Sequence, residues 1–245
     1  KILLQLLLRE RAVANVEERN QLLENATEEV AELVLANNRG QHRLISMDQL
    51  RSRHDFRAYR QLIHLLIERG MNARSEYIPD VRQLDQLEQS GEGLPRPVLA
   101  VLQAYVKMYL YDELLASSLI PEFAGDETSA LYDELYLGYL PGSFRDRFPE
   151  EVLQRHPLRR EIIATVLTNR LINHAGCAFF FNLQSSSGCD LTTLVEGYLA
   201  LEASLELPTL RTQLLEASII EQFQQAGTPD LIMLTVAVQR LQAIS

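Results

Sequence analysis

Cysteine and long apolar runs are both scarce in this sequence. Its only two cysteines, Cys177 and Cys189, cannot form a disulfide framework across 245 residues, and their scarcity favours a reducing environment. No uncharged stretch reaches the roughly 18 apolar residues that a membrane-spanning helix needs, and no signal-peptide pattern is visible. The sequence therefore predicts a cytoplasmic protein with no membrane partner.

Lysine is equally scarce, and the charge balance is acidic. Of the 23 basic residues only Lys1 and Lys107 are lysines, and the net charge is -10. Proteins that bind nucleic acids present basic surfaces, so this balance argues against a nucleic-acid partner.

Motifs for catalysis, cofactors and metals are also missing from the sequence. There is no HExxH zinc motif, GxSxG nucleophile elbow or P-loop, and the lone GxG at residues 91–93 lacks the third glycine of a dinucleotide site. His174 and Cys177 stand three residues apart, but two ligands alone are a weak indication of a metal site. We therefore predict no catalytic, cofactor or metal site in this chain.

Helical periodicity, in contrast, is present almost everywhere. Apolar residues make up 47% of the chain and recur at helical spacing, whereas the alternation typical of strands is rare. The sequence predicts an all-α fold, a multi-helix bundle of irregular or orthogonal packing. The Gly/Pro-rich segment SGEGLPRP (90–97) suggests an N-terminal part, 1–90, and a C-terminal part, 91–245, with one continuous domain as the alternative.

Near the beginning of the chain, the pattern predicts two separate helices. Val16–Glu24 is the first, and Thr27 is a candidate N-cap for the second. Glu28 and Glu29 follow Thr27, in the first turn, where the helix dipole favours acids. We therefore expect a helix boundary at Thr27.

Two further helices, predicted at about 97–118 and 157–174, are apolar on almost every side. Such helices belong in the interior of a protein, so we expect them to form a buried central pair. Polar side chains nevertheless stand on or beside their apolar surfaces, namely Lys107, Asp112, Glu113, Arg159, Asn169, Arg170 and Asn173. The solvent-facing side of the second helix is predicted at Glu161, Ala164 and Thr168.

These embedded polar residues predict a structural network, because buried charges are costly unless they are paired. Arg159 and Arg170 are expected to meet carboxylates, the candidates being Asp112, Glu113, Asp133 and Glu134. Asn169 and Asn173 are expected to hydrogen-bond backbone ends or loops. An interface with another domain and a ligand site are the two alternatives.

Residues 39–60 form a locally basic segment, with six arginines and two histidines against two aspartates. A solvated helix face is one interpretation of this pattern. The other is a docking surface for an acidic neighbour, formed by Arg43, Arg51, Arg53, Arg57 and Arg60.

Three long stretches together resemble a known family. RNQLLENATEEVAELVLANNRGQ, GLPRPVLAVLQAYVKMYLYDELLAS and HPLRREIIATVLTNRLINHAG are similar, in order and spacing, to the C-terminal helical region of the large bacterial NAD-dependent glutamate dehydrogenases. The resemblance covers residues 1 to about 216. Pro95, Val98 and the Cys177-Ala178 pair depart from the family pattern.

The resemblance implies an enzyme that oxidises L-glutamate to 2-oxoglutarate and ammonia with NAD, in a catalytic domain upstream of this chain. The 1–90 part would adjoin that domain, and the parent enzyme is expected to be a homo-oligomer. Amino-acid dehydrogenase chemistry needs lysines in a cleft and a dinucleotide fingerprint, which this lysine-poor chain does not offer. We therefore expect the isolated chain to be inactive, without NAD or another cofactor of its own.

Several matching residues are signature positions of that helical region, and we interpret them as architectural: Lys107, Asp112, Arg159, Arg160, Glu161, Asn169 and Asn173. A stand-alone helical protein-interaction module is the main alternative. A self-contained enzyme with an unrecognised site is the other.

Overall fold

The fold is given by a computed structural model that describes residues 15–121, 130–207 and 209–210. All regular secondary structure in these ranges is helical, which confirms the all-α prediction. No helix in the described ranges is long and apolar enough to cross a lipid bilayer. The chain divides into two compact units, Lys1–Thr192 and Thr193–Ser245.

The helices of the described residues follow one another with mostly short connections. In chain order they are α1 (Val16–His54), α2 (Phe56–Glu68), α3 (Val81–Ser90), α4 (Arg96–Ala116), α5 (Ala130–Tyr139), α6 (Gly142–Arg145), α7 (Glu150–Gln154), α8 (Arg159–Ala175), α9 (Phe179–Ser187) and α10 (Leu191–Ser204). Helix α1 packs against α2, α4, α6 and α8, and α8 also packs against α4 and α5.

Helix α1 is one continuous helix of 39 residues, so the predicted boundary at Thr27 is wrong. The N-cap is Asn15, whose side chain accepts a hydrogen bond from the backbone N–H of Glu18 (2.8 Å). The Thr27 hydroxyl instead donates to the Leu23 carbonyl one turn earlier (2.6 Å), as hydroxyls inside a helix do. At 1.5 Å per residue, α1 is about 58 Å long.

The predicted central pair corresponds to α4 and α8, which pack against each other. The core between them is apolar, and its side chains are almost completely inaccessible to solvent: Leu102, Val106, Leu110, Ile163, Leu167 and Leu171. Burial of such side chains stabilises the fold by about 1.5–3 kcal/mol each. The hydrophobic effect therefore accounts for the position of the two helices in the middle of the first unit.

Neither helix is buried on every side. Helix α4 exposes a stripe of residues one turn apart, namely Ala100, Ala104, Met108, Asp112 and Ala116. Asp112, predicted to be embedded, faces solvent because it follows Met108, which is 61% exposed, by one turn.

The predicted solvent-facing side of α8 is also wrong in two of its three positions. Ala164 and Thr168 are buried, Glu161 is half-buried, and Thr165 is exposed. Because α8 packs against α1, α4 and α5, these neighbours cover most of its circumference.

The Gly/Pro-rich segment at residues 90–97 lies inside the first compact unit, and the suggested division of the chain there stays a prediction. The backbone N–H of Leu94 donates to the Ser52 hydroxyl (2.9 Å), and Arg53 Nε donates to the Glu92 carbonyl (2.9 Å). These contacts fasten the segment to the last turn of α1, because they satisfy backbone groups that a free linker would leave to water.

Tyr136 offers a test of how the shorter helices are held in place. Its side chain is fully buried, and its hydroxyl donates to the Leu153 carbonyl of α7 (2.7 Å). We predict that Tyr136→Phe lowers the free energy of unfolding by about 1 kcal/mol, because it removes a buried hydrogen bond while the Leu153 carbonyl keeps the backbone N–H of His156 as a partner. Urea unfolding of the chain measures the effect. The matched control is Tyr139→Phe on the same helix, where the side chain is 39% exposed; an equal loss there would contradict the prediction.

Candidate functional site

Arg159 is the most completely buried of the predicted network residues, with 2% of its side chain exposed. Its Nη2 pairs with Asp133 Oδ1 of α5 at 2.5 Å, which is one of the four carboxylates predicted for it. Its Nε donates to Gln154 Oε1 (2.9 Å) and its Nη1 to the Pro121 carbonyl (3.2 Å). All three guanidinium nitrogens are thus engaged inside the protein, which is how a buried arginine avoids an uncompensated charge.

The neighbouring Arg160 has a different role at the end of α4. Its Nη2 donates to the carbonyls of Leu115 and Ser117, each at 3.1 Å. Carbonyls at a helix C-terminus have no partner within the helix, and a cation there also meets the negative end of the helix dipole. Arg160 therefore connects the start of α8 to the end of α4.

The remaining predicted network residues are more accessible to solvent. Lys107 Nζ donates to Asn173 Oδ1 (3.3 Å), so Asn173 meets a side chain rather than the predicted backbone end. Asn169 and Arg170 are only half-buried. Arg170 follows half-buried Val166 by one turn, at the edge of the core-facing side, and its pairing with a carboxylate stays a prediction.

Glu113 is engaged on its own helix. Burial and a hydrogen bond to Glu113 raise the pKa of Tyr109 to about 12. The Tyr109 ring also lies under the guanidinium of Arg69, at 3.7 Å from the ring centroid. Glu113 is one of the four candidate carboxylates for Arg159 and Arg170; Arg159 meets Asp133 instead, and Glu113 contacts Tyr109.

A second polar cluster, which the sequence analysis missed, surrounds Asp48 near the C-terminal end of α8. The Asp48 side chain is 1% exposed and pairs with Arg51 Nη1 (2.7 Å). Its other oxygen accepts a hydrogen bond from the backbone N–H of Cys177 (3.0 Å). The spacing Leu44, Asp48, Ser52 could have indicated its burial, because the three lie one turn apart and all are buried.

Burial shifts the pKa values of three side chains near Asp48 toward their neutral forms. Burial, followed by the Asp48 carboxylate, raises the pKa of the Tyr59 hydroxyl and of the Cys177 thiol. Burial also lowers the pKa of Lys107. A thiol with a raised pKa is a poor nucleophile, so this cluster favours a structural role over covalent chemistry.

The five arginines of the predicted docking surface do not form one uniform surface. Arg51 belongs to the Asp48 cluster, and Arg53 is bonded to the Glu92 carbonyl. Arg60 pairs with two carboxylates of α3, Asp85 (2.9 Å) and Glu88 (2.7 Å), which are exposed. A docking role for the two remaining exposed residues, Arg43 and Arg57, stays a prediction.

Among the described residues no three His, Cys, Asp or Glu side chains converge to hold a metal ion. The polar contacts of Arg159 and Asp48 instead join helices to one another. Arg159 connects α8 to α5 and α7, and Asp48 connects α1 to the residue that follows the C-cap of α8.

Substitution of Gly176, the C-cap of α8, tests whether the close approach of this backbone to Asp48 contributes to stability. It adopts φ 92° and ψ 165°, a conformation essentially limited to glycine. A Cβ there would lie 2.5 Å from Arg51 Nη1 and 2.8 Å from Asp48 Oδ1. We predict that Gly176→Ala lowers the free energy of unfolding by at least about 2 kcal/mol, as measured by urea denaturation.

The matched control is Gly188→Ala, at the C-cap of α9. Gly188 has φ 70° and ψ 5°, and no atom lies within 4 Å of the position of its Cβ. This change should cost only the left-handed backbone strain, about 1 kcal/mol. Equal losses for the two variants would show that the contact with the Asp48 ion pair is unimportant.

The two cysteines provide a test that needs no mutation. At about pH 8, iodoacetamide should modify Cys189, which is exposed, and leave Cys177 intact, because Cys177 is 1% exposed and burial raises the pKa of its thiol. Mass spectrometry of the peptides measures each site separately. Both thiols should react in denaturant, and comparable labelling of the native chain would contradict the described burial.

Comparison with known proteins places this architecture in a family. A family model described as "Glutamate dehydrogenase, C-terminal" matches residues 91–217. The NAD-specific glutamate dehydrogenase of Mycobacterium tuberculosis (strain ATCC 25618 / H37Rv) is 34% identical over 188 residues, which are 76% of this chain and 11% of that protein. The Halomonas elongata protein of the same name is 33% identical over 218 residues, 88% of this chain and 13% of its own length.

A third relative, the NAD-specific glutamate dehydrogenase of Pseudomonas aeruginosa, is 33% identical over 192 residues, 78% of this chain and 11% of the relative. The chain thus spans between 11% and 13% of the length of these curated relatives. No solved structure matches it. The resemblance identified from the sequence is confirmed, and the chain belongs to the glutamate dehydrogenase C-terminal family.

Proposed function

We propose that this chain is the non-catalytic, helical C-terminal region of an NAD-dependent glutamate dehydrogenase. In this proposal the parent enzyme is a cytoplasmic homo-oligomer that oxidises L-glutamate to 2-oxoglutarate and ammonia. The reaction and the binding of NAD belong to a catalytic region upstream in the same polypeptide. The relatives that support this assignment carry the name NAD-specific glutamate dehydrogenase.

The observation that carries the non-catalytic role is the engagement of the deeply buried charges in internal contacts. A general acid or base must come within hydrogen-bond reach of the substrate. The nitrogens of Arg159 are bonded to Asp133, Gln154 and the Pro121 carbonyl, and the Asp48 carboxylate is bonded to Arg51 and Cys177. These groups are therefore suited to holding helices in register rather than to acting on glutamate.

The same contacts suggest that the region resists changes in the arrangement of its helices. Removing one member of a buried ion pair costs about 3–5 kcal/mol, because the other charge is left without compensation. These contacts at Arg159 and Asp48 resist sliding of α8 along α5 and α1, since any shift would break directional bonds. We propose that this resistance lets the region brace the catalytic region.

Arg159→Met in the full-length enzyme tests this proposal. The variant should lose roughly 2–4 kcal/mol of stability, seen as a lower melting temperature and faster thermal inactivation, because Asp133 keeps its charge without its partner. The kcat/KM of the folded variant for glutamate should stay within about twofold of the wild type, because no substrate contact is removed. Arg82→Met, at an exposed position of α3, is the matched control and should change neither quantity.

Two results would contradict the proposal. The first is a large loss of kcat/KM in an Arg159→Met enzyme of unchanged stability, which would indicate a catalytic role. The second is NAD-dependent glutamate oxidation by the isolated 245-residue chain, which would locate the active site within it.

A further inference from the structure

The middle of α1 is exposed to solvent, although the helix contacts the rest of its unit both before and after this segment. Every residue from Val30 to Arg39 is exposed. Immediately before this segment, Glu29 accepts a hydrogen bond from the backbone N–H of Ser143 (3.1 Å). Immediately after it, Gly40 lies against Asn173 of α8, so closely that a Cβ would be 3.4 Å from its Nδ2. About 15 Å of helix is therefore uncovered between two contacts with the same unit.

Four of the uncovered side chains are large and apolar, and their exposed fractions are 38% for Val30, 43% for Leu33, 51% for Val34 and 54% for Leu35. Single exposed apolar residues are ordinary on protein surfaces. Val30, Leu33 and Val34 share one side of the helix at 100° per residue, whereas Leu35 lies on the opposite side. A contiguous group of exposed apolar residues marks an interaction site more often than single ones do.

Two of these residues continue the core-facing stripe of α1. Ala26 and Leu44 are each 2% exposed, and at 100° per residue they lie on one face of the helix. Val30 and Leu33 fall within about 40° of that face. The side of α1 that the domain buries at both ends is thus apolar in the middle at Val30 and Leu33, with Asn37 also on it, and no described residue covers it there.

From this geometry we propose that the Val30–Arg39 segment is the surface by which this region docks on the catalytic region of its own polypeptide. The inference rests on the proposed function, which supplies that partner. The chain spans at most 13% of the length of its relatives, so most of the surface available to cover α1 belongs to the rest of the enzyme.

The charge of the helix favours this partner over a second copy of α1. Residues 24–39 contain four glutamates and one arginine. Packed helices lie about 8–10 Å apart, and charges at that separation are only partly screened at physiological salt. Two copies of α1 packed in parallel through this segment would therefore repel each other, whereas an apolar groove edged with arginine or lysine on the catalytic region would attract it.

Thiol labelling of the full-length enzyme tests whether the surface is covered. Leu33→Cys should react with N-ethylmaleimide at least about tenfold more slowly than Val81→Cys, because modification must wait for the contact to open. Val81, at the first position of α3, is the control because it is apolar and 61% exposed. Peptide mass spectrometry distinguishes the two sites from the native cysteines, and equal rates, whether fast or slow, would overturn the proposal.

Photo-crosslinking identifies what covers the surface. A photoreactive amino acid at Val34 of the full-length enzyme should crosslink to peptides of the catalytic region. Mixing isotope-labelled and unlabelled enzyme then shows whether the crosslink lies within one polypeptide, as the proposal requires. Crosslinks to α1 of a second copy, to residues 1–14 or 211–245 of this chain, or to nothing would overturn it.

The outcomes separate this inference from the proposed function. If the isolated chain oxidises glutamate, the proposed function fails whatever the crosslinks show. If the isolated chain is inactive and Arg159→Met affects only stability, but Val34 crosslinks elsewhere, the docking surface alone is wrong.

Discussion

The guanidinium of Arg159 is the constraint on which the arrangement around α8 depends. The guanidinium is only 2% exposed, so each of its donors needs a partner inside the protein. These partners are supplied by α5, by α7 and by the carbonyl of Pro121. Apolar packing alone does not impose such a requirement, because the hydrophobic effect has no direction. The ion pair with Asp133 therefore selects one register for helices whose apolar contacts would tolerate several.

Asp48 provides the corresponding constraint at the other end of α8. It receives the backbone N–H of Cys177 just after the helix ends, and Arg51 neutralises it. The approach is close enough that only a glycine fits at position 176. The central helix is thus fastened by a polar group at each end and held by leucine and isoleucine packing in between. The polar contacts near its two ends account for the charged residues on and beside a helix that is otherwise so apolar.

The described architecture fits the supporting role proposed for it. Arg159 and Asp48 are paired internally, and an exposed apolar face lies on α1, the longest helix of the described residues. Membership of the glutamate dehydrogenase C-terminal family is consistent with this design, because the chain is a small fraction of each relative.

The sequence by itself determined the helical class, the positions of α4 and α8, the need of Arg159 for a carboxylate, and the family. These features depend on local periodicity or on the cost of burying a charge, both of which can be read along the chain. Only the tertiary structure decided that Asp133 is the partner, that Asp48 is buried while Asp112 is exposed, and that the middle of α1 is uncovered. Each of these features depends on which distant part of the protein covers a residue. A helix has the same hydrophobic periodicity whether its apolar face packs on its own domain or on another one.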